Sequence, residues 1–156
     1  MKPQAEEDTG IFRGPPILYL AAFVAGGATH SAFPIHFLLA DWLRLAIGLP
    51  TIVLAGAFWI SAILALRRAG TAVNPGKPTT ALVAQGPFRF SRNPLYLSLA
   101  LIYLGATISL DMLWPLVFLP GVLAAIGLVV RQEERYLERK FGQVYLDYKA
   151  KVRRWL

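Results

Sequence analysis

The sequence predicts an all-α integral membrane protein: four transmembrane helices, a tight hairpin between the third and fourth, and a cytoplasmic amphipathic helix after them. Three observations carry this. Of 156 residues, 56% are hydrophobic and 16% charged, more apolar surface than a soluble domain of this size buries. Four runs of membrane-crossing length, about 17–25 residues, carry no charge. Basic residues cluster in alternate connections, as the preference of Lys and Arg for the cytoplasmic face requires.

The first run lies within Gly14 to Ala40, with residues 17–33 as its helical part and Pro34 ending or bending it. Its flank holds Glu6, Glu7 and Asp8 against only Lys2 and Arg13, a poor signal-peptide start, so the run is read as a retained span. The second span covers 45–66, the third 94–110 and the fourth 112–130, the last two separated only by the charge of Asp111. The connection 67–93 and the tail 131–156 hold most of the Lys and Arg, and the third-to-fourth turn holds none. Both termini, the connection 67–93 and any active site are therefore expected on the cytoplasmic side, in one membrane domain spanning 1–156.

Glycines at 26, 27, 56, 105 and 127 suit close helix packing. His30 and His36 read as interfacial or packing residues, so no metal site is expected; Asp41 and Arg44, three apart, read as an ion pair. The net charge of +7 lacks the basic and aromatic interleaving of a nucleic-acid surface, so no nucleic-acid partner is expected. The absence of cysteine excludes disulfides and thiolate chemistry.

In the connection, the Gly and Pro content of residues 70–78 forbids a long helix, and residues 88–91 alternate like a short extended piece. Asn93 suits an N-cap, Pro94 a first helical turn and Tyr96 the membrane interface. The exposed helix N-terminus also suits an anion, which Arg92 and Asn93 can help hold. Beyond the fourth span, Leu137, Phe141, Val144 or Tyr145, and Tyr148 form one apolar stripe at helical spacing. Glu133 and Glu134 stand about one turn past Val130, where uncompensated carboxylates beside hydrocarbon are costly and a cationic ligand would account for them.

Thr80-Ala81-Leu82-Val83, Gly86-Pro87, Arg92-Asn93-Pro94-Leu95-Tyr96, Glu133-Glu134, and Phe141-Gly142 with Tyr145 and Tyr148 occur in that order. Residues 70–155 thereby resemble the isoprenylcysteine carboxyl methyltransferase family, itself related to the phospholipid methyltransferases. The resemblance implies an S-adenosylmethionine-dependent membrane methyltransferase acting on a lipophilic acceptor, most readily a carboxylate, that enters from the bilayer. It implies that Leu82 and Val83 line the cofactor pocket and that Asn93, Pro94 and Tyr96 contact the cofactor. Glu133 and Glu134 would bind its amino or ribose groups, Tyr145 and Tyr148 would close the site, and Arg92 or Arg154 would position the acceptor. Asn93 departs from the family's usual His; it keeps hydrogen-bonding capacity but does not titrate, which suits methyl transfer to an already ionised carboxylate. A phospholipid or amine N-methyltransferase, an NADPH-dependent membrane reductase and a non-enzymatic membrane subunit are the alternatives. The acceptor and the number of copies are left open by the sequence.

Overall fold

A computed structural model describes residues 14–71, 73 and 79–156. The expectations resting on Lys2, Arg13 and most of the 70–78 breaker run lie outside the described residues. Each uncharged run coincides with a helix: α1 Pro15–Ala32, α2 Asp41–Arg68, α3 Pro94–Ser109 and α4 Trp114–Phe141, followed by α5 Gln143–Lys151. Prolines stand in the first two positions of α1, α3 and α4, where a fixed φ favours the helix and the missing N–H is not needed. No strand occurs among the described residues.

α2 and α4, 28 residues each, are long and apolar enough to cross a membrane. α3, with 16 residues, extends only about 24 Å at 1.5 Å per residue, short of the roughly 30 Å hydrocarbon core. It is the central helix, packed chiefly along α2, while α4 packs chiefly along α1. Thus the hairpin turn between α3 and α4 is short, as predicted, yet each helix finds its main partner elsewhere.

Lipid supplies little hydrophobic drive between helices, so close packing and satisfied polar groups must hold them together. A Cβ on Gly48 would lie 2.6 Å from the Gly105 carbonyl oxygen and against Ser109 Oγ, and one on Gly105 would lie 2.8 Å from the Gly48 oxygen. These two glycines let α2 and α3 touch backbone to backbone. Gly26 does the same for α1 against Pro115. Gly56 and Gly127, expected to act likewise, have no neighbour near the Cβ direction, and Gly48 takes the role instead.

The core between α1, α3 and α4 is built on Tyr19, Tyr96 and Tyr103 against Leu119, Val122, Ile126 and Val130. Its hydroxyls are satisfied: Tyr19 donates to the Tyr96 carbonyl and Tyr103 to that of Pro115, the latter at 2.7 Å. The outward faces are apolar instead of polar, with Leu20, Val53, Leu54 and Leu128 each more than 60% exposed. Such continuous apolar exposure suits a lipid-facing surface.

Three local expectations are corrected. Residues 86–89 form a 3-10 turn, not an extended piece, because Pro87 fixes a helical φ and the Phe88 N–H closes onto the Gln85 carbonyl. The tail does not start its own helix at 131; α4 continues unbroken to Phe141. The predicted stripe breaks at Gly142, whose φ of 54° and ψ of −128° lie in a region open essentially to glycine alone. Tyr145 and Tyr148 are consequently buried, while Val144 faces out.

At one end of the bundle, Asp111 accepts from the Phe37 N–H at 2.9 Å and pairs with His36 and Arg44. The expected Asp41–Arg44 pair forms beside it. The other end holds the start of α1, the end of α2, the start of α3 and the extension of α4, and there a cavity opens.

Candidate functional site

The cavity has a volume of about 390 Å³, within the roughly 300–1,000 Å³ of small-molecule sites. Ten of the eleven residues singled out from the sequence line it. Leu82 and Val83 come from the connection, Arg92, Asn93, Pro94 and Tyr96 from the start of α3, Glu133 and Glu134 from α4, and Tyr145 and Tyr148 from α5. Arg154 is the one outside, although it grips a residue that lines the wall.

The N-terminus of α3 is built differently from the expectation. Asn93 occupies the N-cap position but makes no side-chain capping bond; its Nδ2 donates to the Arg154 carbonyl at 3.1 Å. Ser91 Oγ accepts from the Asn93 N–H at 3.1 Å and donates to the same Arg154 carbonyl at 3.2 Å. The Arg92 N–H donates to the Arg153 carbonyl at 3.0 Å. Tyr96 is buried, not interfacial, and its hydroxyl donates to Glu133 Oε1 at 2.6 Å.

The two neighbouring carboxylates have unlike surroundings. Glu134 is buried and receives a bidentate grip from Arg154, Nε to Oε1 at 3.0 Å and Nη2 to Oε2 at 2.6 Å. Arg92 Nη1 lies 3.2 Å from the same carboxylate. Glu133 has no cationic partner among the described residues. Beyond the last apolar turn of α4, burial pushes its carboxyl up to about 7; the Tyr96 hydrogen bond opposes this and the Glu134 charge adds to it. Arg92, with 8% of its side chain exposed, spends Nη1 on its ion pair with Glu134 and leaves Nε without a hydrogen-bond acceptor among the described residues. The cavity therefore presents a carboxylate and one unfilled guanidinium N–H within walls of Leu82, Val83, Leu99 and Phe88.

Tyr148 donates to the Phe88 carbonyl at 2.7 Å, fixing α5 to the 3-10 turn. Burial raises the Tyr148 hydroxyl and pushes Tyr145 up to about 12, so both remain protonated donors near neutral pH. Sequence reasoning missed Ser91, fully buried beneath the site; the Ser-x-Asn spacing before Pro94 is the signature of a hydroxyl accepting the N–H two residues on. It also missed Trp59, Leu66 and Tyr136, which line the cavity. Among the described residues no cluster suits a metal.

Residues 43–144, well over half the chain, match the family described as phospholipid methyltransferase. The matched stretch runs from the start of α2 through Glu133 and Glu134 and stops before Arg154. An uncharacterized protein of Haemophilus influenzae is 46% identical over 66 residues, 40% of this chain and 100% of its own length. No solved structure matches the chain significantly.

Proposed function

The chain belongs to the phospholipid methyltransferase family, and from that premise we propose that it uses S-adenosylmethionine to methylate a lipophilic acceptor at the polar end of the bundle. The observation that carries the reading is a small-molecule cavity into which Glu133 brings a carboxylate with no arginine partner among the described residues. The residues suit the cofactor. Glu133 offers counter-charge to a sulfonium or ammonium group, the unfilled Nε of Arg92 offers a donor to a carboxylate, and Leu82 and Val83 offer apolar contact. When bound, S-adenosylmethionine supplies an electrophilic methyl group.

The chain's own part is alignment and exclusion of water. Tyr96 fixes the orientation of Glu133 through its 2.6 Å hydrogen bond. Leu82, Val83, Leu99 and Phe88 keep the reacting region dry, and Tyr145 with Tyr148 closes it from α5. Holding reactants in register in this way can contribute about 7–11 kcal/mol to lowering a barrier.

Of the acceptor classes, an amine is best supported. An ammonium must lose a proton before its nitrogen can attack, and Glu133, titrating near neutrality beside apolar walls, is suited to accept it. The carboxylate expected from the isoprenylcysteine carboxyl methyltransferase resemblance is the second reading, and the unfilled Nε of Arg92 favours it. We assign the cavity end to the cytoplasmic side: Arg67, Arg68, Arg89, Arg131, Arg135 and Arg139 are all exposed there, whereas Arg44 at the other end is paired.

The test is methyl transfer by protein in lipid nanodiscs, using S-adenosylmethionine with a labelled methyl group and a panel of lipophilic amines and acids. Label retained in lipid after alkali marks an N-methyl product, and label released as methanol marks an ester. Saturable binding of NADPH without binding of S-adenosylmethionine would overturn the proposal in favour of a reductase.

A further inference from the structure

Arg154 does not itself line the cavity, yet it is hydrogen-bonded to two residues that do, Asn93 and Glu134. The segment after α5 lies across the start of α3, held by the Arg92 N–H on the Arg153 carbonyl at 3.0 Å. Ser91 Oγ and Asn93 Nδ2 both donate to the Arg154 carbonyl, at 3.2 and 3.1 Å. Trp155 packs against the tyrosine core. So anchored, the Arg154 side chain reaches Glu134 with two hydrogen bonds.

We infer that residues 152–155 act as a clasp that sets the charge of the cavity, with Asn93 and Arg154 as positioning residues. Asn93 seats the clasp through the Arg154 carbonyl, and the Arg154 guanidinium neutralises Glu134, so that Glu133 alone carries negative charge toward a ligand. The inference rests on the reading of the cavity as a cofactor site. It also accounts for asparagine at position 93: the position has to supply one N–H to a carbonyl, which requires no titrating group.

The titratable and charged groups around Glu133 come from every surrounding element, and of these Tyr96 and Glu134 act on it directly. Tyr96 donates to it from α3, and Glu134 and Tyr136 flank it on α4. Arg92 stands before α3, Tyr145 and Tyr148 face in from α5, and Arg154 acts through Glu134. Removing the guanidinium of Arg154 leaves Glu134 with Arg92 alone, at 3.2 Å, so Glu133 meets a less compensated neighbouring carboxylate, which favours its protonated form. A segment with a purely mechanical role would loosen the site when lost and admit water, moving the titration the opposite way.

The experiment follows ionisation of the Glu133 carboxyl by 13C NMR of glutamate-labelled, ligand-free protein in nanodiscs, with Glu133→Gln to assign the signal. Binding of labelled S-adenosylmethionine is measured across the same pH range. Arg154→Met should raise the Glu133 titration midpoint by about one pH unit and carry the binding midpoint with it, while Arg154→Lys restores most of both. Asn93→Ala should give a smaller rise, Asn93→His should preserve the midpoint, and the Asn93→Ala/Arg154→Met double variant should match Arg154→Met alone, the non-additivity expected of one linked unit. An unchanged or lowered midpoint in Arg154→Met, or additive shifts in the double variant, would overturn the clasp; should Arg154→Met not fold, Asn93→Ala decides alone on the same criterion. Failure of the wild type to bind S-adenosylmethionine would sink the cofactor reading, while the ligand-free titrations would still decide the clasp.

Discussion

The Tyr96 hydroxyl donates a 2.6 Å hydrogen bond to Glu133 Oε1, joining the first turn of α3 to α4 one turn beyond its apolar run. The bond holds an acidic side chain at the edge of the cavity in a fixed direction. Its neighbour Glu134, gripped by Arg154, is turned to structural use.

Ligand binding should therefore depend on pH through Glu133. Burial pushes its carboxyl from 4.5 to about 7, so it is protonated below neutrality and offers no counter-charge. Affinity for a cationic ligand should rise between pH 6 and pH 8, about tenfold per unit while the group is mostly protonated. Ligand-free stability should run the other way: a raised carboxyl favours the folded state below its unfolded value, and that contribution fades as pH climbs from 4.5 to about 7. Glu133→Gln should flatten both profiles. Calorimetric titration with S-adenosylmethionine at several pH values checks this; a pH-independent wild type would refute the assignment.

The adjacent glutamates should fail in different ways. Glu134→Ala leaves Arg92 and Arg154 without their shared carboxylate, and breaking a buried ion pair costs about 3–5 kcal/mol. The lower end applies here, since a third of the Arg154 side chain is exposed and water screens it. Glu133→Ala removes a carboxylate with no cationic partner among the described residues and orphans only the Tyr96 hydroxyl, so it should lower the unfolding temperature less than Glu134→Ala while abolishing measurable cofactor affinity. Thermal unfolding in detergent, read beside ligand binding, separates the two; equal behaviour would contradict the structure.

Backbone contact between α2 and α3 makes Gly48 intolerant of any side chain. A Cβ there would meet the Gly105 carbonyl oxygen at 2.6 Å, and because this is backbone the helices must separate. Gly48→Val should destabilise by about 1–3 kcal/mol. Gly56→Ala, with nothing within 4 Å of its added carbon, should be neutral or slightly stabilising through helix propensity. Unfolding in a denaturing detergent titration measures both, and a Gly48→Val protein as stable as wild type would rule out the contact.

Much of this architecture follows from short-range information. Uncharged runs and their bounding prolines locate the four long helices, since helix formation answers apolar length and φ restriction locally. The cavity is legible by another route: the family resemblance, not local physics, implies roles for Leu82, Val83, Tyr96, Glu133 and Tyr145, and these line one space. What escaped depends on contacts far apart in the chain. That Asn93 would serve the Arg154 carbonyl 61 positions away instead of capping its own helix cannot be read from an Asn-Pro pair. The contrast between Glu133 and Glu134 likewise arises because a helix turns about 100° per residue, aiming one at Tyr96 and the other at Arg154. Gly48 was passed over because a glycine within an apolar run does not announce which partner helix it meets.

The last prediction concerns the end of the bundle away from the cavity. Asp111 has a φ of 58°, a left-handed conformation that aspartate tolerates better than most residues. From it, Oδ1 accepts the Phe37 N–H, Oδ2 meets His36 Nδ1 at 2.8 Å, and Arg44 pairs with the same carboxylate. Burial pushes the Asp111 carboxyl up, but the Phe37 N–H, Arg44 and His36 together outweigh it and hold it below the ordinary carboxylate value. The stability it confers is therefore present above that ordinary value and is lost as pH falls through the depressed one. Asp111→Ala removes all three partnerships and forces a Cβ-bearing residue without a polar arm to keep a positive φ, so it should lower stability. Asp111→Asn keeps the turn and an acceptor for Phe37, so it should lose less. Both variants, once folded, should bind S-adenosylmethionine like the wild type, because the cluster lies at the opposite end of the helices. Loss of affinity without loss of stability would mean that the two ends are coupled.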